Sequence, residues 1–238
     1  MALTPRRVVA VLTFLASLAF AASPLFVDGF GGYDPQDFPV PQVDPPVQPA
    51  GYAFGIWGLI YAWLILGTGW GLWRRADGAQ WHDMRVPLLV SLALGSFWLA
   101  VAVASPVWAT VLIWAMLLAA LAALFVAPAG DRAWAAWPVG LYAGWLSAAC
   151  CVSLGLLAGG YGWLDARTAG LIFVALAAVL GTGVQAILSR TPTYGLAVIW
   201  ALVAVIVANW TATPVVAYVA LAGAAIVSLA TLRALRNP

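Results

Sequence analysis

Residues 49–73 read PAGYAFGIWGLIYAWLILGTGWGLW, a run that contains no charged residue and is rich in tryptophan, tyrosine and glycine. Its length predicts one membrane-spanning helix, since about 20 apolar residues cross a bilayer. Trp57 and Tyr61 are four residues apart, so we expect their rings to stack on one helical face. Two glycine pairs share this spacing and offer surfaces for close helix packing: Gly51 with Gly55, and Gly67 with Gly71.

The whole chain has the composition of an integral membrane protein. Of its 238 residues, 65% are hydrophobic and only 8% are charged, and the mean hydropathy is +1.00. A soluble domain carries about a quarter charged residues. The apolar segments show no period-two alternation, whereas the strands of a membrane β-barrel alternate over about ten residues. We therefore predict an all-α fold, a polytopic bundle of about eight membrane helices.

The apolar runs give the expected limits of these helices. The predicted spans are residues 8–27, 51–73, 87–104, 107–126, 137–158, 168–188, 194–208 and 214–232. The first run follows Arg6 and Arg7 and is longer than the apolar region of a secretory signal, which is about 7 to 15 residues. We prefer a retained helix, and a cleaved signal is the alternative. Ser105-Pro106 predicts a tight turn between the third and fourth helices.

The arginines predict the orientation of the bundle. If eight helices alternate from a cytoplasmic N terminus, nine basic residues lie inside and only Arg167 lies outside. The residues placed inside are Arg6, Arg7, Arg74, Arg75, Arg85, Arg132, Arg190, Arg233 and Arg236. One helix more or fewer would scatter them over both sides. We predict a multi-pass protein, in a bacterial inner membrane, with both termini in the cytoplasm.

Residues 28–50 form a long loop that is rich in proline, glycine and aspartate and has no basic residue. Its prolines favour an extended backbone. The loop is either a lid over the membrane face or a solvated connector. As a lid, it would fold over the outer mouth of the first five helices, with Tyr33 and Phe38 in apolar contact and its aspartates in water.

Groups that carry catalysis are scarce. His82 is the single histidine, without a second histidine or a cysteine at ligand spacing, so we predict no metal site. Cys150 and Cys151 are interpreted as buried apolar residues. No Asp, Arg or His interrupts a predicted span, which argues against an ion pump or proton-coupled carrier. We expect no enzyme, no catalytic residue and no required cofactor. Gln185 is either an interhelical hydrogen-bonding residue or a ligand contact.

Aromatic residues lie in the interior of the first five spans, whereas an interfacial belt would place them at the ends. They are Trp57, Tyr61, Trp98, Trp114, Tyr142 and Trp145. Aromatic walls with a few hydroxyl or amide groups are typical of a pocket for a flat apolar ligand, although packing alone also accounts for them. We expect these side chains to point into one cavity between helices two, three, four and five.

Three motifs in this region resemble those of the tryptophan-rich sensory protein, or translocator protein, family, over about residues 8–158. The family motif G-W-x-F-x-P-x-W-x-x-L-Y has its counterparts in Gly51, Tyr52, Phe54, Trp57 and Tyr61, without the proline and one residue shorter between Phe54 and Trp57. The motif L-A-L-N-x-x-W resembles residues 92–98, with Gly95 in place of the asparagine. The motif Y-x-x-W-x-S-x-A followed by asparagine resembles Tyr142, Trp145, Ser147 and Ala149, with Ser153 at the asparagine position. The family's acidic residue in the fourth helix has no counterpart.

The resemblance implies a five-helix bundle over residues 1–160, with a pocket that is closed by the proline-rich loop and accepts a tetrapyrrole, a sterol-like molecule or another flat apolar ligand. Residues 161–238 form three additional helices. The expected ligand-binding residues are Tyr52, Phe54, Trp57, Tyr61, Trp98, Trp114, Tyr142, Trp145 and Ser147. The implied function is a membrane sensor or carrier, and the alternative is a non-catalytic interaction subunit of a larger membrane assembly.

The expected partners are the hydrophobic ligand, membrane lipid and a second copy of the chain, and no nucleic acid is expected. Ser96, Ala100 and Ala104 form a stripe of small residues on the third helix that predicts self-association. Packing within one chain is the alternative reading of this stripe.

Overall fold

A computed structural model of the protein describes residues 4–27, 32–188 and 190–236. Within these residues the chain forms eight α-helices and no β-strand, and each helix is long and apolar enough to cross a membrane. The helices are α1 Pro5–Ala22, α2 Ile56–Arg75, α3 Ala79–Ala104, α4 Pro106–Phe125, α5 Ala136–Gly160, α6 Ala166–Ile187, α7 Pro192–Asn209 and α8 Pro214–Arg236. The predicted all-α bundle of eight helices is confirmed.

Local sequence explains most helix ends. Pro106, Pro192 and Pro214 are each the first residue of a helix, where the missing N–H of proline costs nothing. The hydroxyl of Ser105 accepts a hydrogen bond from the backbone N–H of Trp108, so one residue ends α3 and caps α4. The predicted tight turn at Ser105-Pro106 is therefore confirmed.

The segment between α2 and α3 is shorter than predicted, because the predicted spans left residues 74–86 outside any helix. Helix α3 begins at Ala79 and includes His82, Asp83 and Arg85, whereas Arg74 and Arg75 belong to the end of α2. Trp81, Met84, Arg85 and Leu88 are buried at helical spacing, which gives this first part of α3 an apolar face. Burial of Trp81 and Arg85 against the rest of the bundle favours a helix over a solvated loop here.

Helix α5 lies at the centre of the molecule, and most of its residues are buried. On one side, α1 packs against α2 and α3, α3 against α4, and both α4 and α2 against α5. On the other side, α6 and α7 pack against α5, and α8 covers both. Helix α5 is thus a wall shared by the first four helices and the last three. The division into units 1–160 and 161–238 stays a prediction.

Glycine allows α5 and α7 to approach closely. A side chain at Gly144 would overlap the backbone carbonyl of Tyr194, and one at Gly140 would overlap the side chains of Thr191 and Thr193. The hydroxyl of Tyr194 lies 2.8 Å from the hydroxyl of Ser147 in this contact. The backbones of α5 and α7 are therefore in close contact at this interface.

The described part of the proline-rich loop docks on the ends of α5, α6 and α7. Phe38 is 4% exposed and lies against Gly160, where a side chain would overlap its ring. The amide of Asn209 in α7 donates to the carbonyl of Pro46 at 2.9 Å. The prediction considered only the first five helices, whereas α6 and α7 supply part of the docking surface. Residues 28–31 of the predicted loop lie outside the described residues.

Candidate functional site

A cavity of about 580 Å³ lies between α1, α2, α3, α4 and α5, and we call it the aromatic cavity. Six aromatic residues line it: Phe20, Phe54, Trp57, Tyr61, Trp98 and Trp145. The remaining described lining residues are Pro24, Val27, Gly32, Gly51, Gly95, Leu99, Ile113, Met116, Leu146 and Ala149. None of these described residues carries a charged side chain.

The aromatic rings are ordered by contacts with one another. Trp57 and Tyr61 stack at 5.3 Å with an interplanar angle of 22°, which confirms the predicted pair. The ring of Phe20 meets Trp57 edge-on at 5.7 Å and Tyr61 edge-on at 5.1 Å. Trp145 meets Trp57 at 6.2 Å and Phe54 at 5.8 Å, both edge-on. These offset and edge-to-face arrangements are the favoured ones for aromatic pairs, so the rings hold each other in place.

Phe20 occupies space that Gly95 leaves open. An added Cβ at Gly95 would lie 2.7 Å from one carbon of the Phe20 ring and 2.8 Å from another. Phe20 is 3% exposed and belongs to α1, which the sequence prediction did not include in the cavity wall. The glycine at the position of the family's asparagine therefore allows a ring from α1 to enter the site.

The ring of Trp98 is fixed by a hydrogen bond. Its Nε1–H donates to the backbone carbonyl of Ala109 at 3.0 Å, which joins α3 to α4 beside their tight turn. This carbonyl is near the start of α4. The indole of Trp98 therefore presents a wall to the cavity whose polar group is already satisfied.

Two predicted site residues lie away from the aromatic cavity in the described structure. Tyr52 is 49% exposed and packs edge-on against Trp200 of α7 at 5.5 Å. Trp114 lies on α4 outside the described lining, and its Nε1–H is buried without a hydrogen-bond partner among the described residues. Ile113 and Met116 take the place that the prediction gave to Trp114. Helix α4 is therefore rotated relative to the expectation.

Two more predicted residues are buried behind the described cavity wall. Tyr142 is fully buried, and its hydroxyl lies 2.9 Å from the hydroxyl of Ser91 in α3. Its ring still meets Phe20 at 5.6 Å, so it supports the wall from behind. Ser147 is also fully buried and is directed to α7, where it pairs with Tyr194. Of the nine predicted residues, Phe54, Trp57, Tyr61, Trp98 and Trp145 are the ones brought together around the cavity.

The mouth of the cavity lies at the end of the bundle where α1 stops and α2 begins. Pro24, Gly51 and Phe54 are exposed there and also line the cavity. The described loop docks at this same end of the bundle, since Ala50 leads directly into the turn Gly51–Gly55. The aromatic cavity therefore opens on the side of the bundle that carries the acidic loop.

The opposite end of the bundle carries a cluster of charged residues. Asp131 accepts hydrogen bonds from Arg75 and from the indole of Trp81, both at 2.9 Å. The hydrogen bond from Arg75 is the main cause that holds the pKa of the Asp131 carboxyl below its usual value. Asp77 joins α1 to the α2–α3 turn through Thr4 and Arg7, and the hydrogen bond from Thr4 is the first cause of its lowered pKa. These contacts tie three segments together far from the mouth.

The described residues contain no cluster of metal-binding side chains. No group of three or more His, Cys, Asp or Glu side chains within the part of the chain that the structure describes could hold a metal ion. Cys150 is buried in α5, and its Sγ lies 3.4 Å from the carbonyl oxygen of Ile113. Gln185 joins α6 to α7, because its side-chain carbonyl accepts from the backbone N–H of Gly195 at 2.7 Å.

Comparison with known protein families identifies one relationship. The family model described as TSPO-like protein matches residues 34–233. This range includes α6, α7 and most of α8, whereas the resemblance recognised from motifs ended at about residue 158. Searches of curated proteins and of solved structures gave no match. With its eight apolar helices, the chain is a multi-pass integral membrane protein that belongs to the TSPO-like family.

Proposed function

We propose that this protein binds a flat, uncharged and largely apolar small molecule in the aromatic cavity and serves as a membrane sensor or carrier for it. The observation that carries this proposal is a cavity of about 580 Å³ walled by six aromatic rings, with no charged side chain among its described lining residues. Small-molecule sites are typically about 300–1,000 Å³ and mostly apolar, with a few polar groups that orient the ligand.

The ring geometry favours a planar ligand. The stacked pair of Trp57 and Tyr61 offers a flat wall, and Phe20 and Trp145 meet it edge-on. A planar π-system can stack on one wall and contact ring edges on the others, which are the preferred arrangements of aromatic groups. A porphyrin-like ring system fits this description, as do other flat apolar molecules.

The absence of charge among the described lining residues bears on a porphyrin that carries carboxylates. Burying an unpaired carboxylate is costly, so such groups would have to remain in water at the mouth beside Pro24, Gly51 and Phe54. The neutral ester of the same porphyrin carries no such requirement. We therefore expect the ester to bind at least as tightly as the acid.

The test is a titration of the purified protein with a porphyrin diacid and with its dimethyl ester, followed by tryptophan fluorescence. Saturable quenching is expected, and Trp57→Leu should weaken binding about tenfold through loss of the stacked wall. Trp210→Leu is the matched control, because Trp210 is 57% exposed and lies outside the described cavity lining. A lack of saturable quenching by either porphyrin would reject the tetrapyrrole form of the proposal. A titration with pyrene, an uncharged flat hydrocarbon, tests the flat-ligand form.

A non-catalytic role is part of the proposal. No Asp, Glu, His, Lys or Arg side chain is among the described lining residues, so these residues offer no charged group for proton transfer near neutral pH. Sensor and carrier differ in whether the ligand crosses the bilayer. Ligand flux into proteoliposomes, compared between wild type and Trp57→Leu, separates them: flux that follows affinity indicates a carrier.

We also propose a bacterial inner-membrane location with both termini in the cytoplasm. Arg7 of α1 pairs with Asp77 at 2.7 Å and Arg75 of α2 pairs with Asp131 at 2.9 Å, and both arginines lie at the end of the bundle that carries the N terminus. An excess of arginine marks the cytoplasmic side. A cysteine introduced at exposed Asp44 should react with an impermeant thiol reagent in intact cells, and labelling only after lysis would reverse the orientation.

The alternative role, an interaction subunit, is supported by α3. Ala100 and Ala104 are exposed on this helix, and small residues at four-residue spacing allow another helix to approach closely. We propose that a second copy packs here, so Ala100→Leu should convert a detergent-solubilised dimer to monomer. Ala186→Leu, at an exposed position of α6, is the matched control. An oligomer that persists in Ala100→Leu removes this interface.

A further inference from the structure

A second cavity of about 90 Å³ lies beside the aromatic cavity, on the side of α6 and α7, and we call it the side cavity. Both cavities share six lining residues, so a single layer of residues separates them. The shared residues are Gly32, Phe54, Trp98, Ile113, Trp145 and Ala149. Phe54 and Trp145 meet edge-on at 5.8 Å within this layer.

The walls of the side cavity are formed mainly by apolar side chains of three helices. Val152 belongs to α5, Val174 and Ala177 belong to α6, and Ala201 and Leu202 belong to α7. None of its described lining residues carries a charged side chain. A mostly apolar space of this kind offers water few hydrogen-bond partners.

We propose that the ligand carries a slender hydrocarbon chain on its flat ring system and that this chain occupies the side cavity. The inference rests on the proposed function and deepens it. The side cavity is far smaller than the aromatic cavity, so it suits a chain and not a second ring system. A chain would give the lining atoms the contacts that an empty space denies them.

This assignment gives α6 and α7 a part in ligand choice. Ala177 of α6 and Ala201 of α7 are two of the residues that line the side cavity, and both are small and almost fully buried, with 5% and 4% of their surface exposed. A larger side chain at either position would project into the space that the chain needs. The ring system would be unaffected, because neither residue is among the described lining of the aromatic cavity.

The experiment uses pyrene and 1-butylpyrene as probes on the full-length protein in detergent, with energy transfer from tryptophan as the signal. Ala201→Leu and Ala177→Leu are the two test variants, on α7 and α6. Ala208→Leu is the matched control, because Ala208 is exposed on α7. For each probe the quantity compared is the ratio of variant Kd to wild-type Kd, in which partition of the probe into micelles cancels.

We expect a ratio near one for pyrene in all three variants. For 1-butylpyrene the ratio should reach about tenfold or more in Ala201→Leu and Ala177→Leu, since each methylene that loses its buried site weakens binding about fourfold. It should stay near one in Ala208→Leu. Retained pyrene binding also shows that a variant is folded.

The side-cavity proposal is overturned if, in both test variants, the Kd ratio is the same for pyrene and for 1-butylpyrene. This holds whether the variants keep the binding of both probes or lose it. A different result identifies failure of the proposed function itself. In that case wild-type protein would show no saturable signal with pyrene or with 1-butylpyrene.

Discussion

Replacing Gly95 with alanine tests how the aromatic cavity is built. The added Cβ would lie 2.7 Å from a carbon of the Phe20 ring, whereas carbon atoms in contact prefer about 3.5–4.0 Å. The ring must therefore retreat by about 1 Å. Phe20 lines the cavity, so the open direction for this movement is into the cavity itself.

This geometry predicts where the energetic cost appears. In the free protein the ring moves into empty space, so the free energy of unfolding should change by less than about 1 kcal/mol. With ligand bound, that space is taken, and overpacking of a filled site costs about 1–3 kcal/mol. The Kd should therefore rise about 5- to 150-fold. Phe20→Leu in the same chain should restore most of the affinity, because it removes the ring that the new Cβ displaces.

The assays are thermal unfolding of the ligand-free protein and titration with the porphyrin ester. Gly183→Ala is the matched control, since a Cβ at this helical glycine meets no atom within 4 Å. The reasoning is refuted if Gly95→Ala lowers the unfolding temperature and leaves the Kd unchanged. That result would mean that the ring cannot move into the cavity. An unchanged Kd and an unchanged unfolding temperature would refute it as well.

Three further predictions concern other parts of the fold. Asp131→Asn should lower the free energy of unfolding by about 1 kcal/mol at neutral pH. Because the pKa of Asp131 is lowered in the folded protein, its stabilising contribution is complete above the unfolded pKa of about 4 and is lost as the pH falls through the folded pKa. The unfolding curves of wild type and variant should therefore converge in acid. Gly144→Leu should lower the free energy of unfolding in denaturant by more than about 2 kcal/mol, since the carbonyl of Tyr194 belongs to the backbone and cannot move aside. Gly58→Leu, the control, should change it little, because a Cβ at Gly58 meets no atom within 4 Å. Phe38→Ala should release the loop and raise both association and dissociation rates in stopped-flow binding, with helix content unchanged, and unaltered rates would show that the loop is only a tether.

Local spacing predicted the part of the site that one helix determines. The Trp57–Tyr61 stack follows from a four-residue separation, which places two rings on one face of any helix. The tight turn at Ser105-Pro106 is equally local. The eight helices follow from long apolar runs, because length and composition suffice to identify a span.

Sequence reasoning failed where the answer depends on how a helix is rotated about its axis. Helix α4 is apolar on all sides, so no polar face indicates that Ile113 and Met116, and not Trp114, line the cavity. The same holds for α5, where Ser147 is directed to α7 and not to the cavity. A lipid-facing surface and a protein-facing surface are equally apolar, which removes the contrast that reveals orientation in soluble helices.

Phe20 was missed for a different reason. Its position depends on Gly95 in α3, a residue distant in the chain, and a phenylalanine near the end of an apolar run has no distinguishing pattern. The signal that could have identified it is the glycine at the family's asparagine position. A missing side chain in a packed site requires that another group take its place.

The central position of α5 has a consequence for the biogenesis of the protein. Helices are synthesised in chain order, so α5 is in the bilayer before α7 exists. Until then, the face of α5 that carries Gly140 and Gly144 has lipid as its neighbour in place of the α7 backbone. We expect α5 to reach its final packing only after α7 has been inserted beside it. The contact between α5 and α7 therefore forms late in synthesis, after the first five helices are already in the bilayer.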